Sequence, residues 1–119
     1  MPELTSIEAI LAHPAKYDGQ LVHLKGAAIV QFEASFVCDT PEMISAGHPE
    51  KCLWLGGLVS DKRVMDVTQF NKKLVEVVGT FHEQFRGHLG AYGGTLSPVW
   101  SEVIGVHNGG ALLPPPPKP

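Results

Sequence analysis

Apolar and polar residues alternate over several stretches of this chain, and a period of two is the pattern of a β-strand with one buried face. The first stretch covers residues 20–32, and its apolar positions are Val22, Leu24, Ala28, Val30 and Phe32. Gly26 interrupts this stretch at its middle, where a strand can bend or bulge. The pattern therefore predicts a long, bent first strand in a mainly β domain.

Four further strands are predicted, at residues 36–38, 52–55, 74–81 and 95–106. A polar loop at residues 39–51 separates the second strand from the third. Residues 87–94 hold four glycines and separate the last two strands. Pro98 has no backbone N–H to donate, so it indicates a sheet edge or a bulge in the last strand.

Two short helices are predicted around these strands. Thr5 and Glu8 have the spacing of a capping box, and the apolar residues that follow favour a helix over residues 5–13. Residues 64–70 favour a second helix, with Asp61 as its N-cap. A helix, three strands, a short helix and two strands match the OB-fold, a partly open five-stranded barrel. We therefore expect a mainly β, OB-like barrel.

Length and composition set the domain organisation. A chain of 119 residues is long enough for one domain with one core. We expect residues 1–107 to form that domain and residues 108–119, which are rich in glycine and proline, to form a flexible tail. With nine basic and twelve acidic residues, the net charge is −3, which argues against a nucleic-acid binder without excluding a local basic groove.

The N-terminal segment has no basic region followed by a long apolar run. We therefore expect neither a signal peptide nor a membrane span, and the chain as written is expected to be soluble and cytoplasmic. If a signal segment was removed from its start, a periplasmic or secreted location is expected instead.

A series of positions along the chain also forms a recognisable pattern: Tyr17-Asp18-Gly19, Val22, Gly26, Phe32-Glu33, Trp54-Leu55, Val77-Val78-Gly79-Thr80-Phe81 and Gly87-His88-Leu89-Gly90. Over residues 5–105 this pattern resembles a group of small bacterial proteins of OB-like fold, many of which look like exported lipoproteins. The most specific part is Gly-Thr-Phe followed by Gly-His-x-Gly-x-Tyr. The resemblance implies the barrel and carries no activity. We expect this chain to differ from the group in having no export signal and in its Pro-rich tail.

The segment between the last two strands is the candidate binding surface, because loops at the mouth of a barrel often carry binding residues. The candidate contact residues are His82, Phe85, Arg86, His88 and Tyr92, together with Trp54 on the third strand. His88 could donate to a ligand or carry a proton, or its ring could hold a tight loop through backbone hydrogen bonds. Trp54, between Leu53 and Leu55, is expected to lie in the core or to be half-buried.

No catalytic signature is found. His82-Glu83 begins like the zinc-protease motif H-E-x-x-H, but residue 86 is arginine where the motif needs histidine. The chain has no nucleophile elbow and no phosphate-binding loop. No cofactor is expected.

Cys38 and Cys52 are the two cysteines of the chain, and a hairpin would bring them close together with His48 in the loop between. Three alternatives remain open: two free buried thiols, a disulfide, or a metal site with Cys38, His48 and Cys52 as ligands. The spacing of the cysteines matches no zinc pattern, and a fourth ligand cannot be named.

Three functions are compatible with this sequence. The first is a non-enzymatic binding module for a protein partner, in an inhibitory, immunity-type or accessory role. The second is an OB module for single-stranded nucleic acid or an oligosaccharide, which needs a basic or aromatic groove across the second and third strands. The third is a small enzyme that uses His82 or His88. The absence of a catalytic signature favours the first.

Overall fold

The computed structural model describes residues 2–31, 34–56, 71–85, 87 and 90–104. The strands are β1 (Leu4–Thr5), β2 (Leu21–Gln31), β3 (Ala34–Cys38), β4 (Leu53–Leu55), β5 (Lys73–His82) and β6 (Gly94–Val103). The helices are α1 (Ile7–Ala12), α2 (Pro14–Tyr17) and α3 (Pro41–Ala46). One 3₁₀ turn, Pro49–Lys51, precedes β4.

Five of these strands close into a barrel. Strand β2 pairs with β3, β3 with β4, β4 with β6, β6 with β5, and β5 returns to β2. Only the pairing of β4 with β6 is parallel among these five. The short strand β1 adds to the outside of this ring, parallel to the start of β2. The prediction of a mainly β, five-stranded barrel of OB-like type is confirmed.

Strand β2 pairs in both halves of the barrel, as its length and central glycine indicate. Residues 21–28 pair with β5, and residues 27–31 pair with β3. A Cβ atom at Gly26 would come within 2.7 Å of Val37 Cγ2 and even closer to the Cys38 carbonyl oxygen. Only glycine therefore allows β3 to approach β2 at the bend.

The core fills the barrel and extends under α1. Ile7 and Ile10 of α1 are fully buried against the strand residues, which closes one end of the barrel. The inward-facing strand residues include Val22, Leu24, Val37, Leu53, Val77, Phe81 and Leu96.

The predicted N-cap of the first helix was wrong by one residue. Thr5 belongs to β1, where its backbone lies beside Leu24, so it is part of a strand. Ser6 caps α1 instead, and its hydroxyl accepts the Ala9 N–H at 3.0 Å. The helix also ends at Ala12, and α2 begins directly at Pro14, since proline is well accommodated at the first position of a helix.

The loop predicted at residues 39–51 contains α3 and the 3₁₀ turn, so that prediction was also wrong. The Thr40 hydroxyl accepts the Met43 N–H, Pro41 occupies the first helical turn, and Gly47 ends the helix with a left-handed backbone (φ +71°). These capping signals produce a helix of six residues that lacks a long apolar stripe.

Pro98 lies at a bulge, one of the two positions that the sequence indicated. The register of β5 and β6 shifts between Val78 and Gly79, which lie beside Trp100 and Pro98 respectively. A Cβ atom at Gly79 would lie 2.6 Å from the Ser97 carbonyl oxygen, so the bulge requires glycine there.

The helix predicted at residues 64–70, the end of the last predicted strand at residues 105–106, and the tail at residues 108–119 lie outside the described residues. Within the described ranges, no helix is long and apolar enough to cross a membrane.

Candidate functional site

A row of five side chains runs across the outer surface of the barrel, one from each of the strands β2 to β6. The strand registers place Ile29 beside Phe36, Phe36 beside Trp54, Trp54 beside Thr95, and Thr95 beside His82. Their chain neighbours Val37, Leu53, Leu96 and Phe81 are buried in the core. Because successive strand residues point to opposite faces, this row points outward.

Tyr92 packs onto this row from the loop before β6. Its ring centroid lies 5.3 Å from that of Phe36 and 5.3 Å from that of Trp54, with the rings tilted by 40° and 55°. All three side chains are half-buried. Burial raises the pKa of the Tyr92 hydroxyl above its ordinary value. We call Phe36, Trp54 and Tyr92 the aromatic face.

The backbone of Gly87 covers part of the Trp54 indole. A Cβ atom at residue 87 would lie 2.6 Å from Trp54 Cγ and 2.8 Å from Cδ2, and the φ angle of Gly87 is +72°. Both the space and the backbone conformation therefore require glycine. One side of the indole is consequently occupied by the protein itself.

Phe85 is the most exposed large apolar side chain among the described residues, at 67% of its full accessible surface. Its ring meets the His82 ring edge-on, with centroids 5.8 Å apart and an interplanar angle of 72°. Its backbone carbonyl accepts a hydrogen bond from the Thr95 hydroxyl, which is buried on β6. The ring therefore projects from a backbone that is held in place.

Further hydrogen bonds fix both ends of the loop between β5 and β6. The Glu83 N–H donates to the Asp18 carboxylate at 2.9 Å, which joins the start of the loop to the turn after α2. The Gly93 N–H donates to the Cys52 carbonyl at 3.0 Å, which joins its end to the residue before β4. The described parts of the loop are thus anchored to the barrel.

Four of the six contact residues expected from the sequence are described, and they lie along this row and its loop: His82, Phe85 and Tyr92 around the loop, and Trp54 beneath it. Arg86 and His88 lie outside the described residues.

Phe36 was not among the contact residues expected from the sequence. It alternates with the inward-facing Val37 and therefore shares the outer face with Trp54. That alternation was the available signal.

Cys38 and Cys52 are joined in a disulfide, with their Cα atoms 4.5 Å apart. Of the three alternatives for these residues, the structure therefore has the disulfide, and no thiol is left as a metal ligand. Each cysteine lies two residues from a member of the aromatic face, Cys38 from Phe36 and Cys52 from Trp54, so the bond joins the strand ends beside this pair.

His48, the third weak metal candidate, bonds to a carboxylate instead. Its Nδ1 lies 3.0 Å from Glu50 Oε1, and both side chains are exposed. A backbone hydrogen bond, together with the His48 ring, lowers the pKa of the Glu50 carboxyl. Within the described part of the chain, no group of three or more His, Cys, Asp or Glu side chains could hold a metal ion.

Comparison with known proteins identifies no neighbour: no family model, no curated protein and no solved structure matches this chain.

Proposed function

We propose that this protein is a non-enzymatic binding module for a protein partner, with Phe85 as the residue that anchors the partner. The observation that carries the proposal is the exposure of Phe85, at 67%, on a backbone whose carbonyl is bonded to buried Thr95. The role of such a module is inhibitory, immunity-type or accessory.

Exposed aromatic side chains dominate the energetics of many protein interfaces. Burying a Phe side chain completely contributes about 1.5–3 kcal/mol. Aromatic residues also recur among the few positions that carry most of the binding free energy. Because the backbone at Phe85 is already ordered, less conformational entropy is lost when the partner binds.

The half-buried aromatic face supports this loop. Tyr92 contacts both Phe36 and Trp54, and Gly87 lies on the indole of Trp54. These contacts hold the loop from below and leave Phe85 as the projecting ring. A protein surface with a matching apolar pocket would meet Phe85 first.

A second candidate function uses the aromatic face directly. Phe36 and Trp54 point outward from neighbouring strands, and those strands correspond to the face on which OB-folds bind oligosaccharides or single-stranded nucleic acid. Stacking of a ligand on the Trp54 indole is disfavoured, because Gly87 and Tyr92 already cover parts of this ring. The net charge of −3 also disfavours a phosphate backbone, so an oligosaccharide is the better ligand of the two.

The first test compares three immobilised proteins in a lysate of the source cells: the parent, Phe85→Ala, and Leu21→Ala as a matched control. Leu21 is also an exposed apolar residue, at 40%, but lies on β2. We expect mass spectrometry to identify a protein that the parent and Leu21→Ala retain and Phe85→Ala loses. The same proteins on all three columns would contradict the proposal.

The second candidate has its own readout in tryptophan fluorescence. Titration of the parent with oligosaccharides and with single-stranded oligonucleotides should leave the combined emission of its two tryptophans, Trp54 and Trp100, unchanged if the partner is a protein. Saturable quenching that is lost in Phe36→Ala would favour the stacking function instead.

A further inference from the structure

An apolar groove lies between α3 and the outer surface of β2 and β5, apart from the loop that carries Phe85. Its volume is about 280 Å³. Ala27 and Ala28 lie at its floor, and the apolar lining is completed by Ile29, Pro41, Ile44 and Leu74. Ala27 pairs with Leu74 on one side and with Cys38 of the disulfide on the other.

Two exposed lysines complete the groove. Lys72 and Lys73 line it at the start of β5, and no acidic side chain is found among the described residues that line it. The groove therefore combines an apolar interior with positive charge on one side.

Lys72 has a backbone conformation that a lysine rarely adopts. Its φ angle is +61°, which makes it the one non-glycine residue with a positive φ in the described part of the chain. Neighbouring bonds hold it there: the Lys72 N–H donates to the Ala28 carbonyl at 2.8 Å, and the Asn71 side chain accepts the Val30 N–H at 3.0 Å. Glycine or asparagine would fit this backbone with less strain.

A residue that is kept in a strained backbone conformation is expected to have a side chain with a function. At residue 72 the side chain brings a positive charge to the groove, where glycine would bring none. The strain at Lys72 and the apolar lining are separate observations, and both are explained by a ligand with an apolar body and an anionic end.

We propose that this groove binds a short aliphatic carboxylate, with its hydrocarbon chain over Ala27 between Ile44 and Leu74 and its carboxylate at Lys72. The volume of about 280 Å³ lies just below the range of about 300–1,000 Å³ that is usual for drug-sized ligands, so it suits a single short chain. The carboxylate and the ammonium of Lys72 form an ion pair at the open side of the groove.

The test uses octanoate as the probe, below its micelle concentration, with the ¹⁵N-labelled full chain. Octylammonium has the same chain with the opposite charge, and 1-octanol has no charge. We expect octanoate to shift the amide resonances of Ile29, Ile44 and Leu74 in a saturable way and octylammonium to bind more weakly. Failure of octanoate to shift these resonances overturns the proposal, as does equal binding of octylammonium.

Lys72→Gly separates the ligand role from a structural role. Glycine accepts the positive φ, so the melting temperature should stay the same or rise. The affinity for octanoate should fall by about two- to five-fold, which corresponds to the contribution of an exposed ion pair to the binding free energy. The affinity for 1-octanol should be unchanged. An unchanged affinity for octanoate in Lys72→Gly contradicts the proposal.

Ile44→Gln tests the position of the hydrocarbon chain. This residue lies on the surface helix α3 and is only partly buried, so the variant should fold. Octanoate binding should weaken in this variant, and unchanged binding would place the ligand elsewhere. A short acidic peptide that shifts the same resonances at lower concentration than octanoate would overturn the assignment of a small ligand.

Discussion

Gly87 lies so close to the indole of Trp54 that a Cβ atom at residue 87 would come within 2.6 Å of Trp54 Cγ. This contact joins the loop between β5 and β6 to the short strand β4. Phe85 is two residues earlier in the same loop, so the position of the proposed anchor depends on the same contact. The glycine therefore links the barrel to the candidate binding surface.

Gly87→Ala is expected to destabilise the loop. The new methyl group collides with the indole, and overpacking of this kind costs about 1–3 kcal/mol. Gly90→Ala is the matched control, because Gly90 also has a positive φ (+66°) but has no atom within 4 Å of the position of a Cβ. In urea unfolding, Gly87→Ala should lose clearly more stability than Gly90→Ala. Equal losses would show that only the backbone conformation matters.

Asp39 connects the end of β3 to the start of α1. Its carboxylate accepts the Ile7 N–H at 2.8 Å and the Glu8 N–H at 2.9 Å. Asp39→Ala should lower the free energy of unfolding by about 1–2 kcal/mol, because the helix N-terminus loses these acceptors. Asp39→Asn keeps one oxygen acceptor and should lose less. If thermal unfolding of both variants matches the parent, the carboxylate does not contribute to stability.

The disulfide between Cys38 and Cys52 closes a short loop, with a sequence separation of 14. Loss of the cross-link should lower stability by about 3 kcal/mol, since the unfolded chain regains the entropy of that loop. The double variant Cys38→Ala/Cys52→Ala should therefore unfold at lower urea concentration. A reducing agent should destabilise the parent and leave the variant unchanged. Equal sensitivity of the two proteins would contradict the expected role of the bond.

The ionisation of the Tyr92 hydroxyl is expected to lower the stability of the protein at alkaline pH. Burial raises the pKa of its hydroxyl above the ordinary value of 10.0. Above pH 10.0 the Tyr92 hydroxyl of the unfolded chain releases its proton, while that of the folded protein still holds it. The free energy of unfolding therefore falls as the pH rises through the pKa of Tyr92 in the folded protein. Stability measured against pH should fall less steeply in Tyr92→Phe than in the parent. Superimposable slopes would show that Tyr92 does not contribute.

The strands could be predicted because their sequences alternate and their glycines lie at close approaches. Gly26 marked the bend of β2, and Pro98 marked the bulge in β6. Helix α3 could not be predicted, because its six residues lack a long apolar stripe and depend on capping by Thr40 and Gly47. The N-cap of α1 is Ser6 and not Thr5, because Thr5 belongs to β1 and pairs with β2. This pairing joins residues that are distant in the sequence, so no local pattern indicates it.

The candidate site was only partly predictable, for a related reason. His82, Phe85 and Tyr92 are close in sequence, so their loop could be recognised. Their relation to Trp54 depends on the parallel pairing of β4 with β6, which places Trp54 beside Thr95. The covering of the indole by Gly87 depends on that register as well, and no local pattern indicates it.

The proposed contact between Phe85 and a protein partner is tested most directly by site-specific photocross-linking in the source cells. A photoreactive phenylalanine analogue would replace Phe85 in one sample and Leu21, on β2, in the control. We predict a discrete cross-linked protein from position 85 that is absent from position 21. No protein adduct at position 85, or the same adducts at both positions, would contradict the proposed function.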